Sequence, residues 1–390
     1  MHTVNELVQA AEQRLRESHI RPMATYPKPV IVVSTEYPGV WLEHCYDAVM
    51  WARLFPDGID IMKNTLEMFL SYQREDGQLP CYVRDEVVGY TQVQECVSFA
   101  RLALEAYRIC GDRELLYRCY KASERWARWI ECNRMTTGQG LVEMFVGFDT
   151  GHDNSGRLEG LTCPGKYIGH DACDLPPDDK IAPVIAVDMS CNYYGTLASL
   201  AKMGEILGIE NEYAIRAAEV KRRLIEVCYD ETDAFFYDVD KNGKKRKYLS
   251  STVFHLFLEG VLNPSDDREM IDTLLRRHIL NPEEFMTRVP FPSMAVRDPS
   301  RDRHKRPNSW GYYSEALIAL RCTLWMDEYG LDTTFDRLCR AWIDGLTESY
   351  DEVKFGQELD PITGEPSGCS EWYSSAMLFY IYAARRLGLA

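Results

Sequence analysis

The chain is short of positive charge. Its 390 residues carry 44 Lys and Arg against 60 Asp and Glu, a formal net charge of −16. No basic run is long enough to follow a phosphate backbone or an anionic lipid surface. The densest basic stretch, residues 241–247 (KNGKKRK), comes after Tyr237 and Asp238 and reads as the solvated turn of a hairpin. Long apolar runs are missing as well. Nothing approaches the ~18 residues of a membrane span, and the start (MHTVNELVQAAEQRLRES) lacks a charged-then-apolar signal pattern. Paired-cysteine signatures are also absent. The thirteen cysteines are irregularly spaced, and Cys96, Cys110, Cys119, Cys228, Cys322 and Cys339 fall among apolar residues of helical pattern. No CxxC or HxxxH accompanies Cys163, His170 and Cys173. The expectation is a cytoplasmic protein with no nucleic-acid partner, no membrane, no disulfide framework, no metal and no cofactor.

What the chain has in quantity is aromatic residues, 8 Trp, 23 Tyr and 14 Phe, and amphipathic helix. Thr3 and Glu6 form a capping-box pattern ahead of Leu7, Val8, Ala11 and Leu15. Further stripes of helical period run through about 44–54, 58–73, 92–110, 113–132, 188–207, 210–228, 266–278, 310–329, 332–349 and 370–387. Strand-like material is confined to 28–34, 142–148 and 233–250. Three times a helix ends in Gly and another begins within a residue or two, at Gly111, Gly208 and Gly330. That repeat describes helical hairpins joined tightly on one side. On the other side the connections are long: 133–187, 281–309 and 351–369 carry Gly, Pro, Asp, His and aromatic residues with little period. Loops of that length in a compact protein are normally functional. Eleven or so helices in hairpins predict an all-α fold, an (α/α)6 barrel. It is a toroid of six hairpins over residues 1–390 as one domain, with long loops and a short β-hairpin on the active-site face.

Two loops carry acids in suggestive company. Residues 145–160 (FVGFDTGHDNSGRLEG) set Asp149, His152, Asp153 and Arg157 close together among glycines, and residues 355–376 offer Glu358, Asp360, Glu365 and Glu371 beside Trp372 and Tyr373. A turn-rich surface loop is the plain reading of the first segment, and its acids do not alternate as a calcium loop requires. Glycoside hydrolysis needs two carboxyl groups across a sugar linkage, one protonated to release the leaving oxygen and one ionised to activate water.

The segment GFDTGHDNSGR resembles the SGxDNSPRW-type motif of helical-toroid glycosidases, the group of trehalases, processing α-glucosidase, and mannosylglycerate or glucosylglycerate hydrolases. In the same order, YPGVWLEHCYDAVMWA is similar to the group's WxWDSFF segment. YTQVQECVSFA is similar to its SQPPxxA helix start, and ELDPITGEPSG with EWYSSAMLFY to its ENYNPLTG and WSSAL ending. The resemblance runs over about 36–385. It implies an inverting hydrolase acting on a small sugar or oligosaccharide, with Asp153 as general acid. For the base it implies the acid before NPLTG: counting back from Pro361, Gln357 stands at the family's Glu, and a one-residue deletion moves the role to Glu358. Glu365 and Glu371 are the alternatives, as is a non-hydrolytic relative.

The same comparison implies sugar contacts from Trp41, Glu43 and His44, although the group's acid and ring are replaced there. It also implies contacts from Gln92, Trp310 and Gly311; by residue type, the rings of Trp41, Trp310, Tyr312 and Trp372 suit stacking on a sugar face, and Gln92, His152, Arg157 and Asp188 suit holding hydroxyls. Core packing for the rings, an N-cap role for Asp188 and a helix-opening role for Gln92 or Gln94 are the structural readings of the same residues. Two other functions stand beside hydrolysis: a sugar isomerase or epimerase using His44, His152, His170, His255 or His304, and a non-catalytic glycan-binding protein.

Overall fold

Two kinds of helix alternate along the chain. The computed structural model describes residues 2–348 and 352–390. Among them are twelve α-helices: α1 (Val4–Arg14), α2 (Cys45–Leu54), α3 (Ile59–Ser71), α4 (Phe99–Cys110), α5 (Arg113–Asn133), α6 (Val187–Leu207), α7 (Tyr213–Cys228), α8 (His255–Leu258), α9 (Arg268–Leu274), α10 (Ala316–Arg321), α11 (Asp332–Glu348) and α12 (Ser374–Arg386). The odd-numbered helices bury a single stripe; α7 buries only Ala217, Val220, Leu224 and Cys228. By contrast α2, α8, α10 and α12 are buried on nearly every side. A helix that is apolar all round belongs inside, and an amphipathic one belongs outside with its stripe turned in.

Packing follows that division. Helix α2 lies against α4, α4 against α6, α6 against α8, α10 against α12, and α12 returns to α2. Between α8 and the turn after α10, the rings of Phe257 and Trp325 are 5.3 Å apart. Helices α3, α5, α7 and α11 each pack on an even-numbered neighbour in sequence. One hydrophobic cluster extends from Leu7 to Ala384.

The three glycine turns form as the sequence predicts. Gly111, Gly208 and Gly330 have φ of 65°, 74° and 69°, the left-handed conformation that ends a helix and that a Cβ disfavours. The capping box also forms, with the Glu6 N–H donating to Thr3 Oγ1 at 3.2 Å and the Thr3 N–H to Glu6 Oε2 at 2.7 Å.

Several boundaries move. The helix predicted over 92–110 begins only at Phe99, because Gln94 and Val97 have φ of 44° and 61°, which a right-handed helix does not accommodate. The 310–329 stripe breaks into an extended pair, Ser314–Glu315, then α10 and two short 3₁₀ turns. The helix predicted over 332–349 is α11, and its last residue lies outside the described residues. Helix α8, with four residues, is too short to leave a periodic signal. All strands are two or three residues long, and most tie the long connections together. Gly39–Trp41 pairs with Tyr82–Arg84, and Ser314–Glu315 with Glu358–Leu359. Lys245–Arg246, Asp238–Val239, Val184–Ile185 and Glu143–Met144 form a four-stranded sheet in that order, whose first two strands make the predicted basic hairpin. No described helix is long and apolar enough to cross a membrane.

Candidate active site

The segments that feed the inner helices meet around one cavity of about 90 Å³. Tyr37, Trp41, Glu43 and His44 come from the approach to α2, Gln94 from the approach to α4, Asn308 and Trp310 from the approach to α10, and Tyr373 caps α12. The 145–160 loop adds Gly151 and Asp153, and the last long connection adds Gln357. A larger open recess of about 860 Å³ lies beneath the basic hairpin, lined by Lys244, Lys245, Arg246 and Arg303. It holds none of these groups, and Arg246 and Arg303 are already engaged, Arg246 with the carbonyl of Arg157 and Arg303 with Glu159.

Asp153 is the group whose chemistry the fold has altered most usefully. Its turn is built from positive-φ residues, Phe148 (72°), Gly151 (76°) and Asn154 (61°), and the Trp310 N–H donates to the Asp153 carbonyl at 2.9 Å. Burial pushes the carboxyl up to about 7, against a smaller downward pull from Asn308. Oδ1 is shielded from solvent and has no hydrogen-bond partner. Asp149, four residues earlier, is the opposite case. It accepts N–H groups of Phe145 (2.8 Å), Val146 (3.1 Å) and Val93 (3.3 Å) and pairs with Arg134 at 2.5 Å. One acid of the loop is spent on the fold and the other is kept for the cavity.

Gly151 keeps these groups in place. At φ 76° an added Cβ runs into the Glu43 carboxylate, so Gly151→Ala is expected to cost about 1–3 kcal/mol and more than about tenfold in kcat/KM. Gly208→Ala, at φ 74° with open space around it, is expected to cost about 1 kcal/mol and leave turnover unchanged. Thermal melts with steady-state rates for both variants separate the two effects.

Rings flank the acid. Trp41 sits edge-on to Tyr37, centroids 5.9 Å apart, and Trp310 stacks on His152 at 4.4 Å and 11°. Both tryptophans line the cavity. Two other predicted rings do not. The Tyr312 hydroxyl donates to Asp360 at 3.2 Å under the Arg301 guanidinium, 3.7 Å from its ring, and Trp372 lies under Arg14 at 4.8 Å. Gly311 also stands outside, its missing Cβ leaving room for His304.

Arg157 and Asp188 are joined to each other rather than open to a sugar. The buried guanidinium donates to Asp188 at 2.6 and 2.9 Å and to Asp238 at 2.8 and 3.0 Å, and neither Arg157 nor Asp188 lines the cavity. Burial works to raise Asp188, but the charge and hydrogen bonds of Arg157 outweigh it and hold the carboxyl well below its usual range. Asp188 is the second residue of α6; the N-cap is Ala186. His152 shares this cluster, with Nδ1 3.2 Å from Arg157 Nη1, and burial holds it neutral. Gln92 is buried but does not line the cavity, and Gln94 takes the cavity position predicted for it.

Residues 37–375 match the mannosylglycerate hydrolase MGH1-like glycoside hydrolase domain. The chain belongs to this family. It is a glycosidase. The fold is shared with the GH63 mannosylglycerate hydrolase of Thermus thermophilus, at 16% identity and a TM-score of 0.76 over 96% of this chain and 99% of that one in its Tris complex. The same enzyme's glucose complex gives 17% and 0.73 over 96% and 99%. Neutral trehalase Nth1 of Saccharomyces cerevisiae matches at 15% identity and a TM-score of 0.67, over 92% of this chain and 73% of that one. No curated protein matches significantly.

The acid proposed from sequence as the glycosidase's base is not at the cavity. Glu358 pairs with Glu315 across the two short strands, and successive side chains of a strand face opposite ways. Gln357 faces the cavity, its Nε2 donating to Asn308 Oδ1 at 3.2 Å. Glu358 faces inward and accepts the N–H of Asn308 (2.8 Å), the N–H of Ser309 (3.3 Å) and the Ser367 hydroxyl (2.5 Å). Burial raises both Glu358 and Glu315, and the Glu358 charge raises Glu315 further, so the Glu315 carboxyl holds a proton against its neighbour. Neither alternative reaches the cavity: Glu371 pairs with Lys354 at 2.7 Å and Glu365 with Thr363 at 3.3 Å.

Among the five histidines considered for isomerase chemistry, His44 alone lines the cavity, with Nε2 2.6 Å from the Tyr373 hydroxyl. His152 and His255, ring centroids 6.0 Å apart, border a separate void of about 20 Å³. No group of three or more His, Cys, Asp or Glu among the described residues is placed to hold a metal.

Proposed function

We propose that this glycosidase hydrolyses an O-glycosidic bond of a small sugar or oligosaccharide with inversion, Asp153 acting as general acid. The supporting observation is a carboxyl raised by burial to about 7, with an unpartnered oxygen, in a cavity walled by Trp41 and Trp310. A general acid works best when its pKa lies near the operating pH. Its proton passes to the bridging oxygen as the bond to the anomeric carbon breaks, and water attacks the opposite face. The resemblance of the 145–160 loop to the toroid glycosidases supports inversion. The succession of inner helices, α2 to α4 to α6 to α8 and α10 to α12 to α2, supports an (α/α)6 barrel formed by residues 1–390 as one domain.

The Thermus enzyme takes glucose and, in another complex, D-glycerate, and a hexose linked to a small polar aglycone is the substrate class we favour here. A thiol-rich chain suits the cytoplasm. The test is a panel of α- and β-glycosides followed by proton NMR of the first-formed anomer. Inversion is the expected result, and retention overturns the assignment.

A further inference from the structure

Among the described residues only two carboxyl groups line the cavity, Asp153 and Glu43. We propose that Glu43, and not an acid of the last long connection, is the group that takes the proton from the attacking water. This assignment rests on the hydrolase reading above and adds its missing half. Residues 39–41 form a strand and Leu42–His44 a single 3₁₀ turn, so Glu43 projects from the tight link between a paired strand and α2. Its side chain is 8% exposed, and Oε2 has no hydrogen-bond partner.

Of the other buried acids described nearby, Glu315 has unpartnered oxygens but does not line the cavity, and the following four are engaged. Asp47 accepts the hydroxyls of Ser374 (2.5 Å) and Ser375 (2.9 Å), Asp149 and Asp188 are ion-paired, and Glu358 is held by backbone and Ser367. Where the family motif has its basic carboxylate this chain presents the amide of Gln357, which accepts no proton from water.

What surrounds Glu43 suits the role. The Arg321 guanidinium lies 3.6 Å from Oε2 and donates to the Glu43 carbonyl at 3.2 Å. His44 Nδ1 is 3.8 Å from Oε1, and burial keeps that ring neutral. Burial raises Glu43 to about 8, with Arg321 pulling it back down and the Asp153 charge adding to the rise. Two interacting carboxyls titrate as a pair, and the singly protonated pair is the competent form. Glu43 at about 8 stands slightly above Asp153 at about 7, so the competent arrangement, charge on Glu43 and proton on Asp153, is the less populated form of the pair, and the Arg321 guanidinium 3.6 Å from Glu43 is what favours it. In the reaction the glycosidic C–O bond breaks, the leaving oxygen takes the Asp153 proton, water oxygen bonds to the anomeric carbon, and the water proton goes to Glu43. One proton then returns from Glu43 to solvent and one from solvent to Asp153.

The experiment compares native chain, Glu43→Gln, Glu358→Gln, His44→Asn and Asp153→Asn on alkyl and 2,4-dinitrophenyl glycosides of the sugar that the native chain cleaves, with melting temperatures as a control on folding. Glu43→Gln is expected to lose about 10²–10⁴-fold on both substrates. Asp153→Asn is expected to lose that much on the alkyl glycoside only, because dinitrophenolate leaves without a proton. Glu358→Gln is expected to stay within about tenfold of native. Sodium azide, a nucleophile that needs no base, is expected to restore dinitrophenyl glycoside turnover to Glu43→Ala with a glycosyl azide as product.

Native rates in Glu43→Gln, or a loss confined to Glu358→Gln or His44→Asn, overturns the assignment to Glu43 and leaves hydrolysis standing. A native chain that cleaves no glycoside of the panel overturns the hydrolase reading and this assignment together.

Discussion

Asp153→Asn is expected to lower turnover of an alkyl glycoside by about 10²–10⁴-fold, which is about 3–5 kcal/mol of transition-state stabilisation, while leaving the folded structure in place. The asparagine keeps the shape of the side chain and removes only the proton that the leaving oxygen needs. Oδ1 accepts nothing, and burial outweighs the Asn308 hydrogen bond that favours the charged carboxyl, so stability is expected to change in the variant's favour at neutral pH.

The sign follows from linkage. Burial raises Asp153 from 3.8 to about 7. Between those values the unfolded chain has ionised this group and the folded chain has not, so the folded state binds the extra proton. Stability from this residue is therefore full below about pH 4 and is lost as pH rises towards 7. Asparagine has no such loss. Melting temperatures of native and variant chains are expected to converge near pH 4 and to separate above pH 7, with the variant higher. A variant that melts lower at pH 8, or that keeps native rates on alkyl glycosides, contradicts the role.

The second large effect is expected where no substrate is touched. Arg157→Met retains most of the side chain's volume but leaves Asp188 and Asp238, 1% and 4% exposed, without their shared cation. Removing one partner of a buried ion pair typically costs about 3–5 kcal/mol. Against a total of about 5–15 kcal/mol for an ordinary protein, that is enough to give poor solubility or a melting temperature lower by many degrees.

The pH dependence is expected to reverse at Asp188. In the native chain its pKa is depressed, so its contribution is present above the unfolded value and is lost as pH falls through the folded one. Without the guanidinium, burial, the largest influence on the carboxyl, is opposed only by the Met189 N–H and the neighbouring His152 and His255 and raises it, so the variant is expected to lose stability as pH rises. Urea unfolding at pH 5 and pH 8 measures this, and Arg157→Met with Asp188→Asn is expected to recover part of the loss. A single variant within about 1 kcal/mol of native at pH 8 contradicts the scaffold role.

These two residues also show how far the amino-acid order could be read. Asp153 and Arg157 stand in one motif, four positions apart, and composition offers no distinction between them. Asp153 stands in a turn whose Gly151 and Asn154 permit positive φ, which is visible in the residue types. Arg157 meets Asp238, 81 positions away, through the four-stranded sheet, and no local signal announces that pair. Gln92 and Gln94 pose the same problem: both precede α4 in a stretch where Gln94 and Val97 take positive φ, and only Gln94 lines the cavity. The aromatic residues were readable as a class but not one by one, since Trp310 and Tyr312 differ by two positions and only the first lines the cavity.

Residue order alone specifies the helical hairpins, because a 3.6-residue apolar period and a left-handed glycine are local properties. It also carries the family, through motifs whose order survives divergence, and the candidate acid. Which carboxyls face each other depends on packing over long range. Adjacent strand residues point to opposite sides, so the pairing of Glu358 with Glu315 turns Gln357 to the cavity and Glu358 away from it. A one-residue difference in register exchanges the two, and register is fixed by strand pairing and burial across the whole molecule. Glu43 gained its position in the same way. Its neighbour Arg321 lies 278 residues further on, and only the packing of α10 beside the approach to α2 makes them a pair.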